Sequence, residues 1–193
     1  MDSWKEGWKP VSKPAFIGWT AFYSLFLLHA ATNRDGFLIV DQVNLIVHEA
    51  GHLLFGWLGQ APGLWGGTLF ELIVPAALAI HFGLRREATG VVFCLFFFFE
   101  NFLYISVYMA DARAQVLPLV TVGDPEMGSH DWFAIFSSLG LLNYDIGIGR
   151  FVRMVGWLGM LAAIVLLWRF YQEGSSSVGK QLNDERQSRQ AHA

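Results

Sequence analysis

Apolar residues along this chain gather in long blocks rather than at short alternating intervals. Five blocks, residues 14–31, 37–58, 68–84, 88–110 and 153–170, are each close to the ~20 residues that a helix needs to cross a bilayer. Short polar connections separate them, among them the turn-rich Thr32-Asn33-Arg34-Asp35-Gly36 and the charged hinge Arg85-Arg86-Glu87. A basic stretch precedes the first block, as in a secretory signal, but four further blocks follow and a retained first helix is expected. Residues 59–67 carry four glycines and a proline with no charge, which predicts a loop dipping into the protein rather than wandering in water. Pro75 predicts a kink in the third block. Residues 133–142 are apolar but too short to cross, so an interfacial or re-entrant piece is expected there. Residues 172–193 are polar, without apolar periodicity, and read as a flexible tail. The pattern predicts an all-α polytopic membrane bundle of about five spans within residues 1–171, followed by that tail. No internal repeat is visible.

Composition agrees. Hydrophobic residues make up 54% of the chain and charged residues only 15%, so the bilayer is the first partner implied. A net charge of −3 with no basic stripe argues against nucleic acid. Trp4 and Trp8 beside Lys5, Lys9 and Lys13 suit a headgroup surface, and Gly156 and Gly159 suit close helix contact. Basic residues divide almost evenly between the two sides, so membrane orientation stays open. Cys94, the single cysteine, lies among Val92, Phe93, Leu95 and Phe96 and reads as packing.

The chemistry concentrates in the second block, at His48-Glu49-Ala50-Gly51-His52. On a helix His48 and His52 share a face and can offer two imidazoles to one metal ion, while Glu49 can reach a metal-bound water. Ionisable groups inside an apolar block are rare and usually functional. Asp41 and Asn44 precede His48 by seven and four residues, so either could orient a ligand imidazole through its second nitrogen. One zinc ion per chain is expected, with three protein ligands and one position left for water. His130, in Gly128-Ser129-His130-Asp131-Trp132, is the first choice for the third ligand. Asp131, Asp111, Glu100, Glu71 and His81 are alternatives as ligands or as supporting groups. Asn101, Arg113 and His81 are candidates for stabilising an oxyanion. Glu100, Tyr104 and Tyr108 form a polar stripe at spacing four, and Glu100 needs a partner at that depth.

His-Glu-Ala-Gly-His on an apolar helix of a small multi-span protein resembles the site-2 protease family of intramembrane zinc metalloproteases. The resemblance implies zinc ligation by His48 and His52, catalysis by Glu49, and a third ligand from an aspartate on a later helix. It covers the second block well and the general bundle loosely. The family's Asn-Pro-Asp-Gly or Leu-Asp-Gly segment has no counterpart here, and Val122-Gly123-Asp124-Pro125 does not replace it. Residues 108–115, Leu117-Pro118-Leu119 and His130-Asp131-Trp132 are also similar to uncharacterised bacterial membrane proteins carrying the same motif, which implies a bacterial inner membrane. The expected function is a membrane-embedded metallopeptidase that cleaves a membrane-associated peptide or protein. A non-hydrolytic metal-binding subunit or assembly factor of a larger complex, and a proton or metal transporter working as an oligomer, remain as alternatives.

Overall fold

The structure, a computed structural model, describes residues 7–33, 38–117 and 130–191. Trp4, the Arg34-Asp35-Gly36 connection and the loop around Gly123-Asp124-Pro125 lie outside the described residues. The described chain is helical throughout: α1 (Lys13–Thr32), α2 (Asp41–Gly56), α3 (Gln60–Leu84), α4 (Ala88–Ala110), α5 (Asp131–Leu139) and, after a short 3-10 turn at Leu142–Tyr144, α6 (Asp145–Ala191). Among the described residues there is no strand.

Among the described residues, four helical segments are long and apolar enough to cross a membrane: α1, α3, α4 and residues 142–176. The expected fifth, the motif helix, is shorter. Asp41 stops α2 at its N-terminal end by accepting the Leu38 amide at 2.6 Å, and Gly59, at φ +125°, turns the chain sharply after it. Sixteen residues remain, about 24 Å of helix against a hydrocarbon core of ~30 Å. The motif helix is thus shorter than the expected block of residues 37–58, with a local cause at each end. The glycine-rich stretch after Gly59 is likewise helix rather than loop: α3 starts at Gln60, and its early glycines face α2.

α3 packs between α2 and α4, and α4 packs along α6. At the α4–α6 seam, a Cβ on Gly156 would meet the Phe99 carbonyl oxygen at 2.9 Å, and the Gly159 backbone lies against the Phe99 ring. Both expected close-contact glycines therefore sit in this seam, Gly156 against the α4 backbone and Gly159 against a ring. Phe96, Leu103, Met160, Ala163 and Leu167 fill the same seam. α1 starts on Ser12, whose hydroxyl accepts from the Ala15 amide, with Pro14 in the first turn. It covers the pair through Tyr23 against Phe96 (4.5 Å between ring centroids) and Phe16 stacked on Tyr171 (4.4 Å). Cys94 is buried in this helical packing.

α5 is the expected short apolar piece. Its Trp132, Ile135 and Phe136 bury against Ile105, Met109 and Ala112, and Gly140 at φ +67° ends it in a left-handed cap. A further strut holds the region. Asp145, at the start of α6, accepts from Arg113 Nε at 2.9 Å, pairs with its Nη2 at 2.7 Å, and accepts from the Arg113 amide at 3.2 Å. Beyond residue 171 the helix continues to Ala191, where a coil was expected. Extending an existing helix avoids the nucleation cost that a separate polar segment would face.

Candidate metal centre

Helical spacing places His48 and His52 on one face of α2, their rings 4.7 Å apart. Both Nε2 atoms point at one atom, the Asp131 Oδ2, at 3.1 Å from His48 and 3.0 Å from His52. The three donor atoms all lie within 4.8 Å of one another. The other ring nitrogens are also held. His48 Nδ1 lies 2.8 Å from Glu71 Oε1, and His52 Nδ1 lies 2.8 Å from the Gly63 carbonyl oxygen. Each acceptor takes the Nδ1 proton in a hydrogen bond, so Nε2 is the atom turned to the shared point: its N–H donates to Asp131 Oδ2 here, and on losing that proton its lone pair would be free for a metal, the arrangement of a histidine ligand with its orienting partner.

The donor set could hold a metal ion. Bonds of ~2.0–2.1 Å in a tetrahedral site place neighbouring ligand atoms about 3.3 Å apart. Two of the three separations, 3.0 and 3.1 Å, lie close to that value, and the third is within 4.8 Å. Burial is uneven: the His48 side chain is 3% exposed, Asp131 13% and His52 26%, so the open side lies by His52 and Asp131. Asp131 lies in the first turn of α5, where the helix dipole favours a carboxylate. Its burial would raise its pKa, but hydrogen bonds and charge from His48 and His52 outweigh that and hold it at about 2.

Close packing of α2 on α3 makes this geometry possible. A Cβ on Gly67 would lie 2.5 Å from His48 Nε2, and a Cβ on Gly51 would collide with the Gly66 carbonyl. Pro75 also matters. It lies inside α3 and has no amide hydrogen to give the Glu71 carbonyl four residues before it. Asn101 supplies the missing donor, its Nδ2 reaching the Glu71 oxygen at 3.0 Å. That bond ties α4 to the residue that orients His48.

Against protein-family models, curated proteins and solved structures, the chain matches none.

The remaining candidates take other places. His130 does not face the pair: it caps α5, its Nδ1 accepting from the Phe133 amide at 3.3 Å. Its Nε2 lies 3.4 Å from Asp111 Oδ2 without making a hydrogen bond, and burial lowers its pKa. Asp111 is engaged by the amides of Val116 (3.0 Å) and Leu117 (3.1 Å) in the turn after α4. Glu71 is the orienting carboxylate of His48. Asn44 instead bridges Asp41 (3.2 Å) and Glu100 (3.1 Å), which supplies the partner Glu100 needed. His81 is exposed in the last turn of α3, Asn101 is committed to Glu71, and Arg113 to Asp145. Glu49 is half-buried beside His48 on α2. Tyr108, read in the sequence only as part of a stripe, supports the site directly. Its hydroxyl accepts from the Asp131 amide at 3.2 Å and lies 3.3 Å from Asp131 Oδ2. The spacing from Glu100 put it on the correct face; nothing in the pattern named its partner.

Proposed function

We propose that this protein is a membrane-embedded zinc metallohydrolase that cleaves a peptide bond in a membrane-associated polypeptide, in the manner of site-2 proteases. The observation that carries the reading is the convergence of His48 Nε2, His52 Nε2 and Asp131 Oδ2 on a helical scaffold, with Glu49 following His48 on α2. Zinc bound there supplies a Lewis acid that makes water a nucleophile near neutral pH and polarises a carbonyl. Glu71 and the Gly63 carbonyl hold the two imidazoles in the tautomer that binds. Glu49 accepts a proton from the attacking water as its oxygen bonds to the carbonyl carbon, and delivers that proton to the leaving amine as the C–N bond breaks. The Tyr108 hydroxyl donates to Asp131 Oδ2 and accepts from the Asp131 amide, which holds the carboxylate in place.

One observation favours a second reading, a metal-binding subunit without hydrolysis: the carboxylate ligand comes from nine-residue α5, not from a spanning helix as in that family. One experiment separates the two. Metal content of detergent-purified protein, prepared without chelators, is measured for wild type, His48→Ala, Glu49→Gln and Asp131→Asn, alongside cleavage of membrane-peptide substrates. The hydrolase reading expects near-stoichiometric zinc in wild type and Glu49→Gln, zinc lost from the other two, and cleavage by wild type alone. Metal bound in wild type, with cellular function unchanged in Glu49→Gln, selects the non-hydrolytic subunit. Folded wild type without metal ends both readings.

A further inference from the structure

In the first turns of α6, Ile146, Gly149, Arg150 and Arg153 recur at helical spacing and share one face. That face lines a cavity of about 350 Å³ against the end of α4, and none of the three candidate metal ligands borders it. A Cβ on Gly149 would lie 2.8 Å from the Ser106 carbonyl oxygen, so the two helices touch beside the cavity. The 23 residues of α4 make about 35 Å of helix against a hydrocarbon core of ~30 Å. Its last turn, which contributes Val107 and Ala110 to the wall, therefore falls near the headgroup level.

The wall carries unbalanced charge. Arg150 is exposed and Arg153 half-buried, and neither makes an ion pair or hydrogen bond among the described residues. Arg113, by contrast, is neutralised by Asp145. Asp111 also borders the cavity, but its two oxygens accept the Val116 and Leu117 amides. The Ser106 hydroxyl donates to the Leu103 carbonyl at 2.6 Å. Two guanidiniums three residues apart repel each other, and at the edge of an apolar span they are costly without an anion.

We propose that this cavity seats the headgroup of an anionic phospholipid, its phosphate held by Arg150 and Arg153 and its acyl chains lying along Val107 and Ile146. The planar fork of a guanidinium matches phosphate oxygens. Ile146 is 44% exposed, which leaves an apolar surface beside the charged one. A zwitterionic head would bring its own cation to two arginines, so a head of net negative charge is selected. A soluble phosphate would leave the apolar wall uncovered.

The test is native mass spectrometry of the full chain released from nanodiscs of mixed dioleoylphosphatidylglycerol and dioleoylphosphatidylcholine, which share their tails. Wild type is expected to retain one phosphatidylglycerol in preference to phosphatidylcholine. The Arg150→Gln/Arg153→Gln double variant is expected to weaken that retention at least about tenfold. Arg169→Gln, an exposed change on α6 away from the cavity, makes a like change of charge and is expected to leave retention unchanged. Glycerol 3-phosphate, the head without tails, is expected to give no adduct. Equal retention of the two lipids, undiminished retention in the folded double variant, or an equal loss in Arg169→Gln would each overturn the proposal. A glycerol phosphate adduct as strong as the lipid's would make the ligand a soluble phosphate and overturn it too. The comparison of lipids in wild type stands even if a variant does not fold. Because lipid retention is read instead of cleavage or metal content, failure here is distinct from failure of the hydrolase reading.

Discussion

His130 and Asp131 are neighbours in sequence, yet the turn into α5 sends their side chains to different partners. The histidine accepts the Phe133 amide as a helix cap, and the aspartate meets both imidazoles of α2. Removing each should therefore fail differently. If the proposed metal site holds, Asp131→Asn is expected to lower metal affinity at least about 100-fold with little loss of folding, since a carboxylate charge goes while the shape stays. His130→Ala is expected to keep zinc and lose about 1 kcal/mol of stability, the usual cost of a lost cap. Competition with a chromophoric chelator and thermal melts of the same samples check both. Gly67→Ala is a sharper case. The added methyl would lie 2.5 Å from His48 Nε2, so the ring or the helix must move. A loss of about 1–3 kcal/mol is expected, together with weaker zinc binding. A side-chain preference for imidazole pointed to His130 in the sequence, because residue type says nothing of which neighbour a turn will aim inward.

The α2–α3 hairpin depends on bonds that leave it. Pro75 removes a donor that the Glu71 carbonyl needs, and Asn101 on α4 restores it. The sequence marked Pro75 as a break or a kink, and of the two the break is absent: α3 runs from Gln60 to Leu84 across it. What the proline does is free a carbonyl, and a side chain from another helix then holds α3 to α4. Asn101→Leu should cost about 1–3 kcal/mol by leaving that carbonyl unpaired. In a Pro75→Ala background α3 can supply its own amide, so the same change should cost clearly less. A double-mutant cycle in a denaturant series reads the coupling, and strict additivity would refute it.

Across the whole molecule, the N-terminal segment is fastened to the α3–α4 turn. Lys9 Nζ lies 2.7 Å from Glu87 Oε1, and the Lys9 amide donates to the Arg86 carbonyl at 3.0 Å. The hydrogen bond and charge of Lys9 lower the Glu87 pKa. A depressed folded-state pKa means the pair contributes above the ordinary carboxylate range and is lost as pH falls through the lowered value. Both groups meet solvent, so the effect is small and salt-sensitive. Hydrogen exchange of residues 7–12 should quicken in acid or high salt, once corrected for intrinsic rates. Lys9→Met should remove that dependence.

Local pattern was enough for the helical class, for the positions of α1, α4 and α5, and for the register that puts His48 and His52 on one face. Those features come from hydrophobic blocks and from spacing within one helix, which neighbouring residues decide. The length of α2 was not legible, because Asp41 and Gly59 end it through a side-chain bond and a backbone angle inside an otherwise apolar run. The third donor atom, the orienting Glu71 and the supporting Tyr108 lie on three other helices, 83, 23 and 60 residues from His48. Only the packing of α2 on α3, through facing glycines, and the anchoring of α5 on α4 bring these groups together. A motif states which atoms can bind a metal; the tertiary contacts decide which carboxylate comes within reach, because that distance is set by buried surfaces far apart in the chain.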